Sequence, residues 1–227
     1  MILADGKTVE HLLGILRALA RDGAGALVSR PNPAQRRALR TAAAAGLPLR
    51  FLAHDRLVRL SGPLGTKYRA GTVGIVAAGT SDVPVAEEAR SLLEELGVGT
   101  VTAYDVGVAG LHRLLRAARR LERARPELYL AFAGREGALP TVLAGLVRAP
   151  VVGVPTSFGY GRGGRGEAAL NAMLQSCAPI AVVNIDGAVP AALFAAQRFA
   201  VRVWRTTPGA RRRGRPSASS GRGEGLF

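Results

Sequence analysis

The chain has 227 residues, 48% of them apolar and 21% charged, a balance that fits a globular protein and excludes a disordered or fibrous one. Thirty-one basic against sixteen acidic residues give +15, and the excess is uneven, since Arg202 to Phe227 holds seven Arg and one Glu. One cysteine, Cys177, excludes an internal disulfide framework and points to a reducing compartment. No apolar run reaches the ~18 residues of a membrane span and no signal-peptide pattern opens the chain, so a cytoplasmic protein without membrane contact is expected.

Thr8 is a good helix N-cap, with Val9, Leu12, Leu13, Leu16 and Leu19 on one face of the helix that follows. GALVS (25–29) reads as a strand. A second helix starts at Asn32 or Pro33 and runs to Ala45, and LPLRFLA (47–53) and RLVRLSG (56–62) read as two more strands. The turn-rich stretch from Gly62 to Gly71 marks a boundary.

Beyond it the rhythm becomes strand, loop, helix, repeated about five times. The strands are TVGIVAA (72–78), TVTAYDV (100–106), ELYLAFA (127–133), PVVGVP (150–155) and IAVVNID (180–186), with helices such as PVAEEARSLLEEL and GLHRLLRAARRLERA between them. These runs are continuously apolar, as in parallel strands covered on both faces. The expected fold is therefore α/β, a doubly wound, mostly parallel sheet in three layers of the flavodoxin or Rossmann kind, with a small N-terminal α/β segment. Expected boundaries are 1–65 for that segment, 66–201 for the doubly wound domain and 202–227 for a basic tail whose low-complexity composition predicts disorder.

In such a sheet ligands bind beyond the carboxyl ends of the strands. Gly79, Thr80, Ser81 and Asp82 follow the first strand of this series, where they suit either anion binding or simple helix capping. Asp105, Gly107 and His112 follow the second, and Gly134, Arg135 and Glu136 the third. The fourth leads into TSFGYGRGGRGE, long enough to close over a ligand and containing Tyr160 and Gly161, and the fifth contains Asn184 and Asp186. Glycine beside polar residues in five connections points to a ligand site. There is no Walker lysine, no GxGxxG fingerprint and no zinc spacing, and no metal ligand is assigned. Cys177, in NAMLQSCAP, reads either as an inert small residue or as a nucleophile beside the loop cluster.

GTVGIVAAGTSDVPVAEEA, YDVGVAGLHRLL, AGREGALPTVLAGL, VVGVPTSFGYG and LQSCAP before IAVVNID together resemble the LarB family of nickel-pincer cofactor biosynthesis, whose core is similar to the aminoimidazole ribonucleotide carboxylase PurE. The likeness runs from about Thr66 to Gln197, and DGKTVEHLLGILRAL is similar to that family's N-terminal segment. Two places depart from the usual pattern: Pro179 is followed directly by Ile180, and the last turn reads NIDGAVPAA.

The resemblance implies carboxylation of the pyridinium ring of nicotinic acid adenine dinucleotide at C5 with hydrolysis of its phosphoanhydride. The products would be pyridinium-3,5-biscarboxylic acid mononucleotide and AMP, with CO2 or bicarbonate as co-substrate, Mg2+ in support and a homo-octamer as the assembly. It also implies roles: Cys177 the nucleophile, Glu136 the base, Ser81 and Asp82 the phosphate- and ribose-binding pair. The candidate substrate-binding set is completed by Gly79, Thr80, Asp105, His112, Gly134, Tyr160, Gly161, Asn184 and Asp186. The alanine- and leucine-rich helices LLRAARRL and AALFAAQ offer faces for packing between copies.

Two rivals stand beside this reading. One is a PurE-type carboxylase or mutase, against which stand Val83 after the Ser-Asp pair and Glu136 where that family typically has histidine. The other is a nucleic-acid-binding protein, suggested by the arginine-rich tail, which would bind phosphate backbones non-specifically.

Overall fold

The computed structural model describes residues 1–65 and 68–200. The tail expected to be disordered lies outside the described residues.

The N-terminal portion folds as β1 (Ile2–Leu3), α1 (Val9–Arg21), β2 (Ala26–Ser29), α2 (Pro33–Ala44), β3 (Leu49–Leu52) and β4 (Leu57–Leu60). The Thr8 hydroxyl accepts from the His11 amide, and Asn32 and Gln35 close a reciprocal capping box, so both helices start where their caps dictate. The sheet order is β1-β2-β4-β3, with β1 parallel to β2 and the other pairs antiparallel. Leu12, Leu16, Val28, Leu39, Val58 and Leu60 form its core.

The second sheet is built from β5 (Thr72–Ala77), β6 (Gly99–Ala103), β7 (Leu128–Ala133), β8 (Val151–Pro155) and β9 (Ile180–Val182). Its order is β6-β5-β7-β8-β9 and every pair is parallel. The crossovers are α3 (Val83–Glu95), α4 (Leu111–Glu122), α5 (Ala138–Ala144) and α6 (Glu167–Leu174), and α7 (Ala188–Gln197) follows β9. Ile75, Leu130, Phe132 and Val154 pack beneath α3 and α7, while Val76, Tyr129 and Ala131 pack beneath α4, α5 and α6. Helices thus cover both faces, the doubly wound three-layer arrangement expected of continuously apolar strands.

Two expectations are corrected. The last strand ends at Val182 rather than Asp186, because β9 pairs with β8 over three residues only and Asp186 takes a left-handed φ of 56°. The alanines of AALFAAQ do not face outward: Ala191, Ala192, Ala195 and Ala196 are buried within the protomer, leaving Phe194 exposed on that helix.

The two sheets are joined through α3. Glu88 is fully buried on that helix, and its carboxylate accepts from the Ser29 hydroxyl at 2.8 Å, from Arg30 Nε at 3.1 Å and from Arg56 Nε at 3.0 Å. Two turns on, Glu95 pairs with Arg50 and with Arg59. Among the described residues no helix is long and apolar enough to cross a membrane.

Candidate active site

The chain leaves the sheet centre in opposite directions from β5 and β7, so their carboxyl ends form the switch point where α/β sheets bind ligands. A cavity of about 670 Å³ opens there, lined by the loops after β5, β6, β7 and β8. Four of the five glycine-bearing connections thus converge, and the loop after β9 does not reach it.

Asp82 is the floor. It ends a single 3-10 turn, Thr80–Asp82, between β5 and α3, and is 4% exposed. One carboxylate oxygen accepts from the Gly79 amide at 2.9 Å, the other from the Thr156 hydroxyl at 2.5 Å. Burial pushes the Asp82 carboxyl above its ordinary range; the Thr156 hydroxyl and the Gly79 amide draw it back, and the Glu136 charge raises it. Thr156 went unnoticed in the sequence, although a hydroxyl directly after the apolar run of β8 is the available signal. It is fully buried and owes its bond to the absence of a side chain at Gly134, where a Cβ would lie 2.2 Å from Thr156 Oγ1.

Above the floor stand exposed Ser81 and, after β6, Asp105, whose carboxylate pairs with Arg113. Arg113 was also unnoticed; its neighbour His112 was the sequence candidate. His112 is exposed on α4 and outside the lining, because one residue turns a side chain by about 100° around a helix. On the opposite wall are Arg135 and Glu136, with Phe158 and Tyr160 from the loop after β8. Arg135 lies over the Tyr160 ring at 4.6 Å. Among the described residues no histidine lines the cavity.

The other candidates fall outside the lining. Thr80 is exposed on the 3-10 turn and Gly134 is buried at the end of β7. Gly161 belongs to a neighbouring hollow in the same loop. Asn184 is exposed, with its side chain accepting from the Ile185 amide. Asp186 accepts from the Ser157 amide at 3.0 Å and so anchors the β8 loop from below.

Cys177 is exposed, in the turn between α6 and the start of β9. Because α6 carries the chain back along the sheet, Cys177 belongs to the side where strands begin, and Glu136 to the side where they end. One copy does not bring this pair together, and the expectation that Cys177 sits beside the loop cluster is corrected. Among the described residues no three His, Cys, Asp or Glu side chains are spaced to hold a metal ion.

Residues 72–208 match the AIR carboxylase family. The chain belongs to that family. Over 128 residues it is 52% identical to an uncharacterized protein of Methanocaldococcus jannaschii, a match covering 56% of this chain and 49% of the relative. The chain thus spans about half the length of that curated relative. It is 36% identical over 136 residues to the N5-carboxyaminoimidazole ribonucleotide mutase of Pyrococcus abyssi, covering 57% of this chain and 74% of the relative. Among solved structures it is similar to Treponema denticola PurE, with a TM-score of 0.47 and 24% identity over 57% of this chain and 80% of the other. The family is enzymatic, and the cavity stands within the part of this AIR carboxylase-family chain that matches.

Proposed function

We propose that this chain carboxylates the pyridinium ring of nicotinic acid adenine dinucleotide at C5 and hydrolyses the phosphoanhydride, the LarB reaction. The observation that carries this reading is the placing of Glu136: a carboxylate stands at the switch point, within electrostatic reach of buried Asp82. With Asp105 these give three carboxylates against Arg113 and Arg135, a lining suited to a cationic ring.

A pyridinium C5 is electron-poor and does not attack CO2. A thiolate adding to an adjacent ring carbon forms a C–S bond and gives a neutral dihydropyridine, whose C5 is nucleophilic. C5 then bonds to CO2, Glu136 takes the C5 proton, and the C–S electron pair leaves with sulfur, which restores the aromatic ring. Water cleaves the phosphoanhydride separately.

The thiolate in this reading is Cys177 of a second copy, since Cys177 and Glu136 of one copy lie at opposite ends of the strands. Exposed Leu174, at the end of α6 just before Cys177, supports a contact between copies there, and the resemblance implies an octamer. The test is incubation with the dinucleotide, bicarbonate and magnesium, with mass analysis for the dicarboxylated mononucleotide and AMP. Failure to form either product overturns the reading.

A second reading is favoured by the mutase relatives at 36% and 34% identity: isomerisation of N5-carboxyaminoimidazole ribonucleotide. Turnover of that ribonucleotide, with none of the dinucleotide, would select it. Nucleic-acid binding by the arginine-rich tail belongs to residues outside the described ones.

A further inference from the structure

A second hollow, of about 290 Å³, adjoins the first and shares Gly159 and Tyr160 with it. Its charged lining is Arg162, Arg165 and Glu167, all exposed and all from the loop after β8 or the first residue of α6. Among the described residues neither arginine makes an ion pair, whereas Arg113 in the first cavity is matched by Asp105. The two hollows therefore differ in sign: three carboxylates against two arginines in one, two arginines against one carboxylate in the other. Tyr160, 77% exposed and with Arg135 over its ring, stands between them.

We propose that Arg162 and Arg165 form a phosphate subsite that takes the adenylate half of a dinucleotide whose cationic-ring half fills the first cavity. The proposal rests on the dinucleotide reading given above and adds to it the residues that select a dinucleotide over a mononucleotide. Guanidinium groups are suited to this because their planar donors meet phosphate oxygens in pairs. Placing the phosphoanhydride across Tyr160 sets the negative bridge beside Arg135, Arg162 and Arg165. The same placing leaves the adenylate phosphate on the exposed Arg162 and Arg165 side of the site, where it departs as a product without disturbing the ring.

The test compares the affinities of nicotinic acid adenine dinucleotide and nicotinic acid mononucleotide, by calorimetry, for the full chain and for the double variant Arg162→Gln/Arg165→Gln. Loss of charge-assisted contacts should weaken the dinucleotide about tenfold or more and leave the mononucleotide within about twofold. A double Arg→Lys variant should recover part of the dinucleotide affinity, and circular dichroism should show both variants folded. Equal weakening of both ligands, or of neither, overturns the subsite while the dinucleotide reading stands. If the unaltered protein binds neither ligand, the functional reading fails and the subsite falls with it.

Discussion

Glu88 offers a sharp test of how the two sheets are held together. Its carboxylate is fully buried and receives two arginine Nε donors and one serine hydroxyl. Removing one member of a buried ion pair typically costs about 3–5 kcal/mol, because the partner is left charged without compensation. Here the partners are not fully enclosed: the Arg30 and Arg56 side chains retain 37% and 25% of their surface. Water reaches the orphaned guanidinium groups and trims the loss, so Glu88→Ala should cost about 3 kcal/mol and Glu88→Gln slightly less. For a chain of this size that is a fall in Tm of roughly 6–12 °C.

Thermal melts followed by circular dichroism and by tyrosine fluorescence should coincide if the transition is cooperative. Glu95→Gln is the internal comparison: it lies on the same helix and pairs with Arg50 and Arg59, yet its side chain is 17% exposed. It should lose about half as much. A loss below about 1 kcal/mol for Glu88→Ala, or a larger loss for Glu95→Gln, would refute the idea that burial sets the strength of this clamp. Ligand binding measured well below the melting transition should persist, since α3 stays held from below by Val85, Ala89 and Leu92.

Asp82 sets a pH dependence. Burial first, then the Glu136 charge, raises its folded pKa, so its contribution is complete below the unfolded value of about 4 and is lost as pH rises through the raised value. Asp82→Asn should therefore melt above the unaltered protein at neutral pH, with the gap closing toward about pH 3, and should lose substrate binding; an unchanged gap would refute the assignment. Gly134→Ala should lower affinity and stability together, because its Cβ would lie 2.5 Å from the Phe158 carbonyl oxygen as well as on Thr156, and normal binding would show that the Thr156–Asp82 contact is unimportant. Cys177→Ser and Glu136→Gln should each abolish carboxylation, but co-assembled variants should regain roughly a quarter of the activity by random pairing, if each site takes its thiol from another copy. No recovery, with both variants folded and co-assembled, would place both groups in one copy.

The backbone was largely legible because its signals are local. Thr8 and Asn32 cap the helices they announce, and the apolar runs after Gly71 become parallel strands. Asp82 was legible too, since an acid between a buried strand and a helix has few other places to be. What sequence did not convey is rotation and direction. His112 and Arg113 are adjacent, and only the turn of α4 decides that Arg113 meets Asp105. Cys177 follows a helix that returns along the sheet, and whether a turn lies at the start or the end of the strands depends on counting every crossover correctly. Thr156 was hidden for a third reason: its importance comes from Asp82, 74 residues away.

These placements bear on the two reactions proposed above for this chain. In the proposed reading the buried Asp82–Thr156 pair and the Ser81 loop meet features that ribonucleotides share, and they come from the two strands that flank the centre of the sheet. The residues that would tell one base from another come from the loops after β7 and β8, which carry Arg135, Glu136, Phe158 and Tyr160. In the proposed reading a carboxylate in that position, with no histidine in the lining among the described residues, takes a proton from a ring whose positive charge is cancelled elsewhere. In that reading the cancelling group is the thiolate of a second copy, which needs no room in the cavity of its own protomer because it approaches from outside. Separating nucleophile from base in this way would also leave the isolated copy inert. Dilution that splits the assembly should then abolish carboxylation while leaving mononucleotide affinity intact, since Asp82, Thr156 and Ser81 all belong to one chain.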